Sequence, residues 1–250
     1  MDFDPLELHL LERLRELERG PAADAAGAEA IWTAQVRSRL CDFAARYLKE
    51  SGRSFYSIGS AGHESNAAVA LALRPTDPAL LHYRSGGFYL ARAAQAGRDG
   101  VDDILNGIVA ATDEPISGGR HTVVGNKELA IVPQTSTIAS HLPRAFGVAF
   151  ALERARRLGR LTEWPDDAVV VCSFGDASVN HATAQAGLNS SAHMAHQKLP
   201  LPLLWVCEDN GLGISVRSPE GWVESALRSR PALRYERADG DDPEILLEIA

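Results

Sequence analysis

The 250 residues carry 25 Lys and Arg against 33 Asp and Glu, a formal net charge of −8, with 45% hydrophobic and 23% charged residues. That length and balance describe an ordered globular chain able to bury a real core as one large domain or two small ones. The acidic excess argues against a general nucleic-acid binder, whose affinity rests on clustered Lys and Arg, but leaves room for one local basic pocket.

Leu6, Leu10, Leu14 and Leu17 recur at helical spacing and predict a first helix. It is acidic and lacks the basic start and apolar run of a signal peptide. Gly20-Pro21 ends it, and an Ala/Gly-rich stretch to Gly27 reads as a linker, so residues 1–27 are expected to be an appendage and 28–250 the main domain. Ile31, Val36, Leu40, Phe43 and Tyr47 mark a second helix over 28–49. Residues 54–74 form a Gly/Ser loop and a small-residue helix, whose start lets backbone N–H groups approach a ligand closely. Helices are expected near 86–97 and 100–110, then a polar loop from Thr112 to Gln134, long enough to suggest function.

From Thr135 the pattern alternates. TSTIASHLPRAFGVAFALERARR predicts one long helix; AVVVCSF (168–174) and LPLLWVCE (201–208) read as strands covered on both faces, with a helix between them at 178–194. A helix near 220–229, a third strand LRYERAD (233–239) and a final helix from Pro243 complete the series. Strands alternating with helices predict a doubly wound, mostly parallel α/β sheet that places ligands at the C-terminal strand ends. The chain stops within its last helix without a cap, as a C-terminally truncated domain would. No apolar stretch approaches the ~20 residues that span a bilayer, and a cytoplasmic location is expected. Cys41, Cys172 and Cys207 have no CxxC or metal-like spacing and read as buried structural thiols.

Two strand ends carry chemistry. In VVVCSFGDASVN, Gly175 permits a turn and Asp176 sits where a carboxylate can meet a hard cation, although an Asp there also serves as an ordinary helix cap. In LLWVCEDNGLGISV, Asn210 offers a side-chain carbonyl and the glycine-flanked Leu212 a backbone carbonyl, although Asn-Gly also makes a plain turn. Asp176 and Asn210 stand 34 positions apart, the length of one strand–helix–strand crossover, which is right-handed and brings the two ends together.

That arrangement resembles the thiamine diphosphate signature, GDG followed by roughly thirty residues and NN. The resemblance extends from about Phe55 to Glu248, through GHESNAAVALALRPTD, HYRSGG, GRHTVVGNKELAIVPQTSTIASHLPRAFGVAFA and ADGDDPE. In that order the segments are similar to the alpha part of the decarboxylating component of 2-oxoacid dehydrogenase complexes, closer to the branched-chain than to the pyruvate type. GDASVNHATAQ with CEDNGLGISV is similar to bacterial members that fuse alpha and beta parts.

The resemblance implies that Asp176, Asn210 and the Leu212 backbone hold Mg²⁺. Gly175, Ala177 and Ser178 would line the cofactor beside them. Tyr83 and Arg84 fall on a YR pair that contacts the diphosphate, a fitting task for a guanidinium. Ser136 and Ile138 match a loop holding the aminopyrimidine ring, and Ser140 and His141 fall near a potassium site of branched-chain members. Ala177 and Asp209 depart from the third Gly of GDG and the first Asn of NN; neither is a ligand position. His63 is expected to steady its loop.

The implied activity is decarboxylation of a 2-oxoacid and transfer of the acyl group to a lipoyl acyltransferase, with a beta part, fused or separate, in an oligomeric multi-enzyme complex. The activating glutamate would come from the beta part, and the family's histidine-bearing loop lies beyond the last residue, so no catalytic residue is assigned here. Two alternatives remain open: a non-catalytic cofactor-binding or assembly module, and another thiamine diphosphate enzyme of the acetoin dehydrogenase or transketolase-like kind.

Overall fold

A computed structural model describes residues 25–55, 58–114, 116–120, 123–160, 162–214 and 216–250. The helix expected over Leu6–Leu17 lies outside the described residues. Helix α1 spans Ala25–Glu50, α2 Asn66–Ala72, strand β1 Ala79–Leu80, α3 Gly86–Gln95 and α4 Val101–Ile108. Strands β2 (Val123–Asn126) and β3 (Ile131–Thr135) follow, then α5 (Leu142–Arg157), β4 (Val170–Gly175), α6 (Ala182–His196), β5 (Leu203–Glu208), α7 (Trp222–Arg228) and α8 (Pro243–Ile249). The sheet order is β2-β3-β1-β4-β5, with only β2 antiparallel to its neighbour. The expected doubly wound, mostly parallel architecture is therefore present.

Successive strand side chains point to opposite faces, and each face buries its own core. Ala79, Leu81 and Val171 pack with Ile31, Ala67, Ala68, Val69, Phe88 and Leu90 beneath α1, α2 and α3. Leu80, Val170, Cys172 and Phe174 pack with Leu142, Ala145, Ala149, Ala184 and Leu188 of α5 and α6. The unbroken apolar run of β4 follows from this double cover: all six of its residues are buried. Each fully buried Leu, Val or Phe contributes roughly 1.5–3 kcal/mol. Arg92 crosses the first core with its guanidinium 4.7 Å from the Phe88 ring and donates to the Asp77 carbonyl at 2.6 Å; burial pulls its pKa down to about 10. Cys41 and Cys172 are buried and free, Cys207 is half-buried and free, and burial pushes all three thiols up.

Several elements differ from expectation. The second helix begins at Ala25, so the linker does not reach Gly27. The loop expected over Thr112–Gln134 contains the β2–β3 hairpin. Its connection is a short 3₁₀ turn at Lys127–Leu129, capped by the Asn126 side chain accepting from Glu128 N–H at 3.0 Å. The helix expected from Thr135 starts only at Leu142: Thr135 closes β3, and Ala139 takes a left-handed φ of 60° that no continuous helix allows. Residues 233–239 form no strand. Arg237 turns to Glu224 at 3.1 Å and Tyr235 lies under the Arg228 guanidinium at 4.6 Å. These contacts draw the segment toward α7, and a cleft of about 1110 Å³ lies between it and β5.

The entry to β1 depends on Asp77, 3% exposed, which accepts from Arg74 Nη2 and Val169 N–H, both at 3.0 Å. Burial pushes its carboxyl up, but the Arg74 and backbone hydrogen bonds win and hold it below the ordinary 3.8. A depressed carboxyl adds stability above about pH 4 that is lost as pH falls through its folded value. Urea unfolding at stepped pH is expected to show that acid arm. Asp77→Asn should lower stability at pH 7 and flatten the profile below pH 4.

Candidate functional site

Strands β3, β1, β4 and β5 run parallel and end on one edge of the sheet. The turns that leave this edge carry every candidate residue. Register fixes the central pair: Gly175 lies opposite Glu208, so Asp176 and Asp209-Asn210 emerge from adjacent strand ends.

Asp176 opens a 3₁₀ turn over Asp176–Asn180 and is 4% exposed. The loop following β5 folds over it. Leu212 bridges Arg217, Ser218 N–H donates to the Gly211 carbonyl at 3.0 Å, and the Ser218 hydroxyl donates to Asp176 Oδ2. Gly213 lets this cover lie close, since a Cβ there would stand 3.3 Å from that of Ala177 and 3.1 Å from the Val216 side chain, which would have to give slightly. Among the described residues no Lys or Arg forms an ion pair with Asp176. A buried carboxylate whose one side-chain donor among the described residues is a hydroxyl is costly unless a cation joins it.

Asn210 is exposed at the head of the same loop. Its Oδ1 accepts from Leu212 N–H at 3.0 Å, and its Nδ2 lies 3.4 Å from His63 Nε2. Asp209 folds back to accept from Gly211 N–H at 3.2 Å, which spends its extra charge on its own turn. Ser178 is buried, and its carbonyl accepts from His181 N–H at 2.9 Å.

His82, Tyr83 and Arg84 leave the end of β1. His82 faces Gly175, where an added Cβ would lie 3.6 Å from its ring, and it stacks obliquely on Tyr83 at 4.2 Å and His63 at 5.3 Å. Burial first, then the neighbouring His63, His141 and Arg84, pull its pKa down to about 3, so its ring is neutral. Its Nδ1 is buried with no hydrogen-bond partner among the described residues. Tyr83 and Arg84 are half-buried and line a cavity of about 100 Å³ with Ser38, Asp42 and Ser60. The Arg84 guanidinium lies 5.1 Å from the Tyr83 ring and donates to the Gly59 carbonyl at 2.6 Å. Among the described residues Arg84 forms no ion pair, which leaves its guanidinium available to an anion.

Ser136 and Ile138 lie in the turn between β3 and α5, both half-buried, with Ile138 against the α5–α6 core. His141, 2% exposed, ties this turn to β4: its Nε2 donates to the Ser173 carbonyl at 2.7 Å and its Nδ1 accepts from Gln134 at 3.1 Å. Burial pulls its pKa down against that first bond. Both ring nitrogens are thus engaged within the protein. Ser140 Oγ is likewise held by the Thr137 carbonyl at 3.0 Å.

Gly175, Asp176, Ala177, Asn210 and Leu212 therefore meet through one loop, and His82 with His63 connects them to Tyr83 and Arg84. Ser136 and Ile138 share the edge and join through His141. Sequence reasoning missed the Ser218 bond to Asp176 and the pairing of His63 with Glu208, whose 145-residue separation leaves no spacing signal.

The family model for the dehydrogenase E1 component matches residues 33–245. The chain is 27% identical over 205 residues to the mitochondrial 2-oxoisovalerate dehydrogenase subunit alpha of Mus musculus, covering 79% of this chain and 42% of that protein. It is 30% identical over 190 residues to the 2-oxoisovalerate dehydrogenase subunit alpha of Bacillus subtilis (strain 168), covering 74% and 52%. The chain thus spans about half the length of these curated relatives. No described helix is long and apolar enough to cross a membrane. With the family model matched over most of its length, this chain belongs to the dehydrogenase E1 component family.

Proposed function

We propose that the chain binds thiamine diphosphate through Mg²⁺ and forms the alpha side of a 2-oxoacid dehydrogenase site shared with a beta part. The observation that carries this reading is Asp176, a buried carboxylate without a cationic side-chain partner among the described residues, beneath the loop that presents Asn210 and Leu212. The donor set fits the ion: Mg²⁺ takes oxygen ligands, usually one or two from protein side chains with phosphate oxygens and water completing the shell. Asp176, Asn210 and the Leu212 carbonyl are the protein ligands in this reading. Gly175, Ala177 and Ser178 form the turn against which the diphosphate rests.

Tyr83 and Arg84 take the diphosphate from the β1 side, where Arg84 has no ion-pair partner among the described residues. Ser136 and Ile138 hold the aminopyrimidine end, steadied by His141 on Ser173. The bound cofactor supplies the electron sink for loss of CO₂ from a 2-oxoacid, while the chain supplies position and electrostatics. The beta part contributes the acid–base groups, and a lipoyl acyltransferase receives the acyl group. Branched-chain 2-oxoacids are the preferred substrates, because the similar alpha subunits are named for 2-oxoisovalerate.

Calorimetry of thiamine diphosphate with Mg²⁺, on the chain alone and with a beta partner, tests the binding. Heat of binding that requires Mg²⁺ and strengthens with the partner is expected; no binding in either case sinks the proposal. Decarboxylation by the reconstituted pair, compared over branched-chain 2-oxoacids, pyruvate and 2-oxoglutarate, then reads the substrate. Binding without turnover of any of them would leave a cofactor-binding module.

A further inference from the structure

Asn210 poses a problem that Asp176 does not. Its amide has an oxygen end and a nitrogen end of the same shape, and only the oxygen meets a cation. The geometry points to Glu208 and His63 as positioning residues that fix which end of Asn210 faces the metal. This inference rests on the proposed Mg²⁺ role of Asn210.

The hydrogen bonds admit one assignment, read from either end. Glu208 Oε2, a carboxylate oxygen, faces His63 Nδ1 and accepts from the ring N–H. The group 3.4 Å from Nε2 is the Asn210 nitrogen, a donor, and Nε2 accepts from it. From the other end, a backbone N–H only donates, and that of Leu212 lies 3.0 Å from Asn210 Oδ1. A flipped amide would set a donor against a donor at Leu212 and an acceptor against an acceptor at His63. The oxygen keeps a second lone pair for the ion.

Glu208 is itself anchored. Asn66 Nδ2 donates to its Oε1 at 3.2 Å and the Ser85 hydroxyl lies 3.5 Å from the same atom, which leaves Oε2 for His63. The side chains of His63 and Glu208 are 6% and 11% exposed, so water competes little. His63, His82 and Glu208 also bring ligand atoms within 4.8 Å of one another. Both nitrogens of His63 are committed to the relay, however, and a three-ligand cation site there would dismantle it. Partners of this kind, which orient a metal ligand without touching the metal, typically govern affinity by about 10–100-fold.

Two measurements test the relay. In the unsubstituted chain, nitrogen NMR of the His63 side chain should show the proton on Nδ1; a proton on Nε2 alone overturns the inference. In Mg²⁺ titrations with thiamine diphosphate present, His63→Phe keeps a ring but no relay and should weaken Mg²⁺ by about 10–100-fold. His63→Gln restores one donor and one acceptor and should recover most of that loss. Wild-type Mg²⁺ affinity in His63→Phe, or no rescue by His63→Gln in a chain whose thermal unfolding matches the parent, overturns it. Asp176→Ala separates the two readings: if it leaves Mg²⁺ binding intact, the metal assignment has failed, and the His63 tautomer alone decides the relay.

Discussion

Asp176→Ala is expected to weaken Mg²⁺-dependent binding of thiamine diphosphate by about 30-fold or more. Truncating one partner of a desolvated charge pair costs about 2–5 kcal/mol, and the lower end already amounts to about 30-fold. The effect on the ligand-free chain should run the other way. Asp176 is 4% exposed and lacks a cationic partner among the described residues, so its removal relieves a desolvated charge. The apo variant should therefore melt no lower than the parent, while the rise in melting temperature that cofactor and Mg²⁺ give the parent disappears. Calorimetry and thermal melts with and without both ligands check the pair of outcomes. A variant that binds like the parent removes Asp176 from the metal site. One that melts far lower without ligand instead assigns the carboxylate to the fold, through its bond to Ser218.

Gly87→Ala should cost about 1–3 kcal/mol of stability and loosen the site as well. Gly87 lies where α3 crosses the entry to α2, and an added Cβ would stand 2.6 Å from the Glu64 carbonyl and 3.0 Å from Asn66 Oδ1. The Glu64 carbonyl is backbone and cannot swing aside. Asn66 would be pushed from its bond with Phe88 N–H at 2.7 Å, and with it the anchor of Glu208. Gly147→Ala in α5 is the matched control, because nothing lies within 4 Å of its added Cβ. A glycine replaced without strain in a helix interior should gain about 0.4–1 kcal/mol. Urea unfolding of the two variants should move in opposite directions; equal losses would refute the close crossing of α2 and α3.

Local pattern made much of this chain legible. The unbroken apolar run of β4 declared a strand covered on both faces, and all six of its residues are buried between the two helical cores. The like run of β5 forms the edge strand of the sheet and stays half-buried throughout. The 34 positions from Asp176 to Asn210 matched one crossover, and the parallel pairing of β4 with β5 makes those strand ends neighbours. Strand β1 went unseen because two residues, Ala79 and Leu80, show no period. Its identity comes from pairing with β3 on one side and β4 on the other. The β2–β3 hairpin was hidden for a like reason: its strands are short, and Pro133 within β3 spoils the local signal. Residues 233–239 carried a strand-like pattern, but their side chains found partners on α7.

By itself the sequence determined the helix–strand alternation around β4, α6 and β5 and the two strand ends that carry Asp176 and Asn210, while Arg84 was marked only by its likeness to the YR pair. Those features are local, set by side-chain period and by the residues at a turn. Tertiary structure alone decided that the turns after β3, β1, β4 and β5 share one edge, that Ser218 closes over Asp176, and that Glu208 reaches His63. These contacts join residues far apart in the chain, and their partners are chosen by sheet order and register, which no local pattern encodes.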